Sequence, residues 1–315
     1  MTIDDGADVP LGGLHPDRKI GDGGQGEVHT LTGLPGVLYK SYREPRQVVG
    51  GALTDLVAVR QALAAPDRAV LDTATAWPLC RVTDRGQVTG FLMYEAPASM
   101  TWTAGDGSTR LTELQYLLRP AKAAWKAVEQ PAPTQRYVLA VALVELLDRL
   151  HAMGLILGDL SQANVLWTLR PAPAVFLLDC DGLRLAGRPP VLAQADTPDW
   201  QDPKAPPGQA SVDGDRYKAA LAVGRILCQD AYVRPGSHLD LVPGVLDDRR
   251  EHAVRRLHEE ADGAHGTRPH LGQWRIALAG RETIRLAAAE PAPRPQIDPA
   301  KFDGVRRRGN ISLRD

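Results

Sequence analysis

Apolar positions along the chain fall into two regimes. Up to about residue 95 they come in short runs separated by Gly-rich turns, which predicts strands over residues 18–20, 27–32, 37–41, 79–83 and 87–95. One stretch departs from this: residues 47–64 (QVVGGALTDLVAVRQALA) carry apolar side chains at helical spacing, and Pro66 ends the run. After a polar stretch at 104–110 the period becomes helical. Helices are predicted over 111–118, over a long amphipathic segment 134–153 with Thr134 as N-cap, and over 215–231, 247–261 and 271–289. Two short apolar runs, 165–168 and 175–178, read as a hairpin. The loop 186–208, with six prolines, is long enough to carry function. The pattern therefore predicts an α+β chain, strand-rich with one helix first and mainly helical afterwards.

Composition narrows the class. A length of 315 residues suggests about two packing units. With 37 Lys+Arg against 38 Asp+Glu, the formal net charge of -1 gives no global field to hold nucleic acid or an anionic membrane. Neither is expected as a partner. An apolar fraction of 43% rules out disorder of the whole chain. Cys80, Cys180 and Cys228 lie far apart, suggesting neither a disulfide framework nor a cysteine zinc site. The eight histidines show no metal-binding spacing, so no zinc is expected. A cytoplasmic location is expected, because the amino terminus lacks the positive and apolar regions of a secretion signal. The longest apolar candidate, 137–150, is interrupted by Glu145, Asp148 and Arg149, so no membrane span is expected. The last residues, 291–315, read as a linker or disordered tail, with Arg306, Arg307 and Arg308 as a solvated basic triplet.

The candidate chemistry begins at Gly21-Asp22-Gly23-Gly24-Gln25-Gly26-Glu27-Val28. Three glycines at this spacing arise by chance about 0.3 times in a chain of this composition, so context decides. Here the motif joins two strands. That argues against a dinucleotide-binding turn, which opens a helix, and for a flap whose backbone covers phosphates. Lys40 ends the apolar strand Val37-Leu38-Tyr39-Lys40, where an inward side chain places an ammonium against those phosphates. Asp159 and Asn164 stand five apart and lead into an apolar strand. The carboxylate suits orienting a hydroxyl proton and the amide oxygen suits a metal. Asp179 and Asp181 follow the strand Val175-Phe176-Leu177-Leu178, placed to bridge a divalent cation and phosphate oxygens. Each carboxylate alone reads most simply as a turn or cap residue; the four elements in this order do not.

Taken together, these motifs resemble the bacterial members of the eukaryotic-type Ser/Thr protein kinase family over residues 14–289. The resemblance implies a two-lobed protein-kinase-like fold: a small lobe over 1–97, a helical lobe over 98–290 and a tail over 291–315. It implies ATP and Mg2+ between the lobes and γ-phosphoryl transfer to a Ser or Thr hydroxyl of a protein substrate. By matching motif, Ile20, Gly21, Gly23, Gly26, Val28, Leu38, Lys40, Glu95 and Leu166 would contact the nucleotide. Asn164 and Asp179 would hold metal, with Asp159 and Lys40 catalytic. Val28, Leu38 and Leu166 would sandwich the adenine, and either Met93 or Tyr94 would be the gatekeeper before the hinge. The segment from Thr197 to Pro203 resembles the end of an activation segment. Asp215 resembles the residue that braces the catalytic loop, and Arg268-Pro269 a late structural element.

Departures from the family are equally specific. Leu157 and Gly158 replace its His and Arg, so activation-loop phosphorylation is not expected to be the switch. The predicted helix 47–64 contains no Glu; either Asp55 pairs with Lys40 or that ion pair is missing. The metal motif reads Asp-Cys-Asp, which leaves Asp181 open as a second metal ligand and Cys180 as a small core residue. Lys204 stands where a Glu is usual, so its pair with Arg268 is expected to be lost. Two other readings remain: a nucleotide-binding pseudokinase acting as a scaffold, and a small-molecule phosphotransferase, which Gly158-Asp159 also resembles.

Overall fold

The computed structural model describes residues 6–193 and 197–280. The chain is α+β, and the described residues fall in one compact unit, residues 1–282. Its first part is a six-stranded sheet in the order β1-β5-β6-β4-β3-β2. The strands are β1 (Val9–Pro10), β2 (Pro16–Asp22), β3 (Gly26–Leu31), β4 (Val37–Tyr42), β5 (Cys80–Asp84) and β6 (Gln87–Tyr94). All neighbours are antiparallel except β1 and β5. The two-residue alternation of strands decides what each face does. On β4, Leu38 and Tyr42 face the main core, whereas Tyr39 packs in a small cluster with Val9, Leu14, Val82 and Leu92. Lys40, between Leu38 and Tyr42 in the alternation, therefore projects from the inner face.

Helix α1 (Gly50–Ala62) packs against that inner face, with Leu53 and Leu56 in one cluster with Leu38, Phe91 and Met93, and α2 (Ala65–Ala74) packs on α1 and on residues 174–177. The predicted helix over 47–64 is thus α1, preceded by a short 3-10 turn at Pro45–Gln47. Pro66 does more than end α1. It occupies the first turn of α2, where no amide hydrogen bond is lost, so a second helix starts where the sequence reading placed only a stop. Arg60 of α1 grips Asp72 of α2 through two bonds of 2.6 and 2.7 Å.

The polar stretch 104–110 and the predicted helix 111–118 differ from expectation: they hold the turn and second strand of a hairpin, β7 (Thr101–Thr103) and β8 (Thr109–Leu111), followed by a 3-10 turn at Leu114–Tyr116. The long helix α3 (Pro133–Ala152) follows. Thr134 lies inside its first turn and is not the cap; the Ala132 amide donates to the Gln135 side chain at 2.9 Å. Next come β9 (Leu155–Ile156), the predicted hairpin of β10 (Val165–Thr168) and β11 (Ala174–Leu177), and β12 (Arg184–Leu185), which pairs with β9.

Helices α4 (Val212–Cys228), α5 (Asp248–Glu260) and α6 (Leu271–Leu278) complete the unit. Ser211 caps α4, its Oγ accepting the Gly214 amide at 3.0 Å, so the helix begins three residues before Asp215. Asp247 caps α5 through the Arg250 amide. Leu38, Leu53, Leu143, Leu166, Leu221 and Trp274 belong to one hydrophobic cluster, which joins the sheet and its helices to the later helices. Among the described residues no helix is long and apolar enough to cross a membrane. The tail over 291–315, with its basic triplet, and the end of the predicted helix 271–289 lie outside the described residues.

Candidate active site

A cavity of about 950 Å³ is bordered by the sheet on one side and by the segments around β9 to β11 on the other. From the sheet side Ile20, Gly21, Gly23 and Gly26 contribute from the β2–β3 hairpin, with Val28, Leu38, Lys40 and Glu95 beyond them. Asp159, Asn164 and Asp179 face them. Leu166 is the exception. It is fully buried and pairs with Phe176, while Leu177, one residue along β11 and so on the opposite face, borders the cavity with Leu178. Both gatekeeper candidates border the cavity; Met93 is the buried one and Tyr94 is part-exposed.

The Gly-rich hairpin is held by local bonds. The Gly23 amide donates to the Gly26 carbonyl at 2.9 Å, and Arg43 ties the tip through Gly23 O and an ion pair with Asp22. Gly26 also has a structural reason: a Cβ there would meet the Ser41 carbonyl oxygen at 2.1 Å. Close approach of β3 to β4 thus excludes any side chain at this position.

The segment carrying Asp159 hangs from Asp215. The buried Asp215 carboxylate accepts the Leu157 amide at 2.7 Å and the Gly158 amide at 2.8 Å, and His151 Nε2 lies 3.2 Å away. Lys218 donates to the Gly158 carbonyl at 2.5 Å. Gly158 has φ of +75°, a left-handed conformation that strains any branched or long side chain, which accounts for a glycine before Asp159. Asn164 Nδ2 donates to the Asp159 carbonyl at 2.8 Å, leaving its Oδ1 available as a ligand atom. Asp159 Oδ1 accepts a hydrogen bond from the Thr197 hydroxyl at 2.8 Å.

Asp179 occupies the left-handed region at φ of 51° and opens a 3-10 turn over Cys180–Gly182. The turn drives Cys180 into the core and Asp181 toward β4. Lys40 Nζ lies 2.7 Å from Asp181 Oδ1 and 3.1 Å from Asp179 Oδ1. This decides between the two alternatives for Lys40. Asp55 does not pair with it; it binds Arg188 at 2.8 and 3.2 Å. The ion pair between the helix and Lys40 is therefore missing, and Asp181 holds the lysine instead, from the other side of the cavity.

Burial opposes the Lys40 charge, but the two carboxylates outweigh it and hold the ammonium above its usual range. Burial first, then the same carboxylates, push the Cys180 thiol well up, so it behaves as a core residue and not as a thiolate.

The pair between position 204 and Arg268 is lost, as expected, and Arg268 has other partners. Without a Glu at 204, its guanidinium is held instead by Asp202 at 2.6 Å and Asp213 at 2.5 Å, while Lys204 pairs with Asp262. Asp202, Asp213 and His265 cluster closely enough to hold a cation, and the Arg268 guanidinium fills that role. Sequence reading also missed the β7–β8 hairpin, whose Thr101, Thr109 and Arg110 border the cavity. Its signal was Asp106-Gly107, where Gly107 at φ of +80° closes the 104–108 turn and donates its amide to the Ala104 carbonyl at 2.9 Å. The partners of Asp181, Asp202 and Thr197 carry no local signal, since each contact joins residues far apart in the chain. The chain matches no model of a known protein family, and no curated protein is found to be similar to it.

Proposed function

We propose that the chain is an ATP- and Mg2+-dependent protein kinase of the eukaryotic type, two-lobed about the cavity, that transfers the γ-phosphoryl group to Ser or Thr hydroxyls. The observation that carries this reading is the convergence of the Gly-rich hairpin, Lys40, Asp159, Asn164 and Asp179 on one cavity. Lys40 and Asp179 are 139 residues apart in sequence and in direct contact.

The donor set fits the proposed ligands. Asn164 Oδ1 and the exposed Asp179 carboxylate offer the oxygen ligands that a hard divalent cation takes. Mg2+, when bound, would neutralise charge on the phosphoryl oxygens. Lys40 would hold phosphate oxygens as a fixed positive charge, and the Gly21–Gly26 backbone would cover them. Asp159 would orient the acceptor hydroxyl and accept its proton as the new oxygen–phosphorus bond forms and the bond to the β–γ bridging oxygen breaks, with ADP as the leaving group. Asp215 keeps the Asp159 segment in place by accepting two buried hydrogen bonds from the Leu157 and Gly158 amides, so catalysis would rest mainly on positioning and charge neutralisation.

The test is incubation with γ-labelled ATP and Mg2+, with label followed into the chain, into a mixed peptide pool and into small alcohols. Label on Ser or Thr residues, lost in Asp159→Asn, is expected. Label confined to small alcohols would make the protein a small-molecule phosphotransferase; nucleotide binding with no transfer would make it a pseudokinase.

A further inference from the structure

We infer that Asp181 is the positioning residue of Lys40, so that the charged centre of the cavity is assembled from β4 and the turn after β11 without any acid from α1. The inference rests on the phosphotransferase reading above and assigns its two neighbouring carboxylates separate tasks.

The two carboxylates sit in different surroundings. The Asp181 side chain is 2% exposed and that of Asp179 is 57% exposed, yet both contact the same ammonium. A buried carboxylate must keep a partner, and Asp181 has Lys40 at 2.7 Å. Its burial commits it to the lysine and leaves the exposed Asp179 as the group able to turn to a cation. Two carboxylates and one ammonium leave the turn with a local charge of about -1, which attracts a divalent ion. If Asp179 moves to that ion, Asp181 still holds Lys40 in register with the cavity. The Tyr42 hydroxyl, on the same face of β4, is buried beside Asp181.

The same geometry frees α1 from the site. Asp55, the one acid of α1, is committed to Arg188, and the Val49 amide at the helix start donates to the Val191 carbonyl at 2.8 Å. Helix α1 is therefore tied to residues 188–191 and contributes no charge to Lys40. Displacing α1 would not by itself break the lysine's anchor.

The test measures Mg2+-ATP affinity by calorimetry on the full chain carrying Asp181→Asn, Asp55→Asn, Lys40→Met, or both Lys40→Met and Asp181→Asn. Asp181→Asn leaves Lys40 with Asp179 alone, in competition with the metal. It is expected to weaken Mg2+-ATP binding about 10- to 100-fold and to raise the Mg2+ concentration required. Asp55→Asn is expected to change affinity by less than about twofold, the range of an exposed pair. In the Lys40→Met background, Asp181→Asn is expected to cost less than about threefold more, because its effect passes through the lysine. A purely structural role would instead carry over undiminished. Wild-type affinity in Asp181→Asn, or a full additional loss in the double variant, would overturn the inference while leaving nucleotide binding by the wild type intact. A wild type that binds no Mg2+-ATP would overturn the phosphotransferase reading itself, and this inference with it. If Asp181→Asn does not fold, Asp181→Glu keeps the charge but shifts it by one methylene. It is expected to weaken binding several-fold, and unchanged affinity there would equally overturn the inference.

Discussion

Single side chains set the chemistry of this molecule, and some of them titrate. His258 is buried against Gly224, whose Cβ, if present, would lie 2.6 Å from its Nε2. Burial lowers its pKa from 6.5 to about 4. The unfolded chain therefore takes up the proton first as the pH falls. The stability contributed by neutral His258 is complete above pH 6.5 and is lost as the pH drops toward 4, at no more than about 1.4 kcal/mol per pH unit. Urea unfolding at a series of pH values is expected to show this slope, and His258→Gln to flatten it; an equally steep slope in the variant would assign the effect to other groups. At the same scale, Asp215→Asn removes one carboxylate oxygen from two buried amides. A loss of about 2 kcal/mol in unfolding free energy is expected, with turnover reduced because the Asp159 segment is no longer fixed.

Residue identity was the most legible level in the sequence. Lys40, Asp159, Asn164 and Asp179 line one cavity as their spacing and strand context indicated. Leu166 does not, because a register one residue away decides which face of β11 meets the cavity, and no local pattern fixes that register. The partners of Lys40 and Arg268 were illegible for a related reason: an ion pair depends on where two distant segments meet in space.

At the scale of elements, caps and turns made most of the difference between expectation and structure. Helix α4 begins at Val212 because Ser211 accepts an amide from its first turn, and the reading that started at Asp215 overlooked this. Ser211→Ala is expected to cost about 1 kcal/mol of stability by chemical denaturation. Pro66 illustrates how one residue serves two elements: it cannot continue α1, yet its fixed φ suits the first turn of α2. The hairpin β7–β8 falls where the pattern predicts only a polar stretch and a helix, because its alternation is short and polar. Strands β3 to β6 and helices α1, α3 and α5 were legible from their apolar periods, whereas β2, exposed along almost its whole length, was marked only by the Gly-rich turn that follows it.

At the scale of the whole molecule, several contacts join the sheet and its helices to the later segments. The Ala76 amide donates to the Leu177 carbonyl at 2.8 Å, Val49 bonds to Val191, and Lys40 reaches Asp179 and Asp181. Arg188 and Asp55 form the exposed member of this set. Exchange of Arg188 for Gln is therefore expected to change stability by less than about 1 kcal/mol, as measured by thermal unfolding. A larger loss would mean that the α1 tether matters more than an exposed pair normally does.

The measurement that tests the central claim most directly is the intact mass of the purified chain after incubation with ATP and Mg2+, run beside Asp159→Asn. Transfer to the chain's own hydroxyls would add steps of about 80 Da. The account predicts such additions in the wild type, abolished when Mg2+ is chelated and reduced at least about 100-fold in rate in Asp159→Asn. Additions that persist unchanged in Asp159→Asn would contradict the role given to this carboxylate, and a wild type that neither gains mass nor labels any acceptor would contradict phosphoryl transfer by this site.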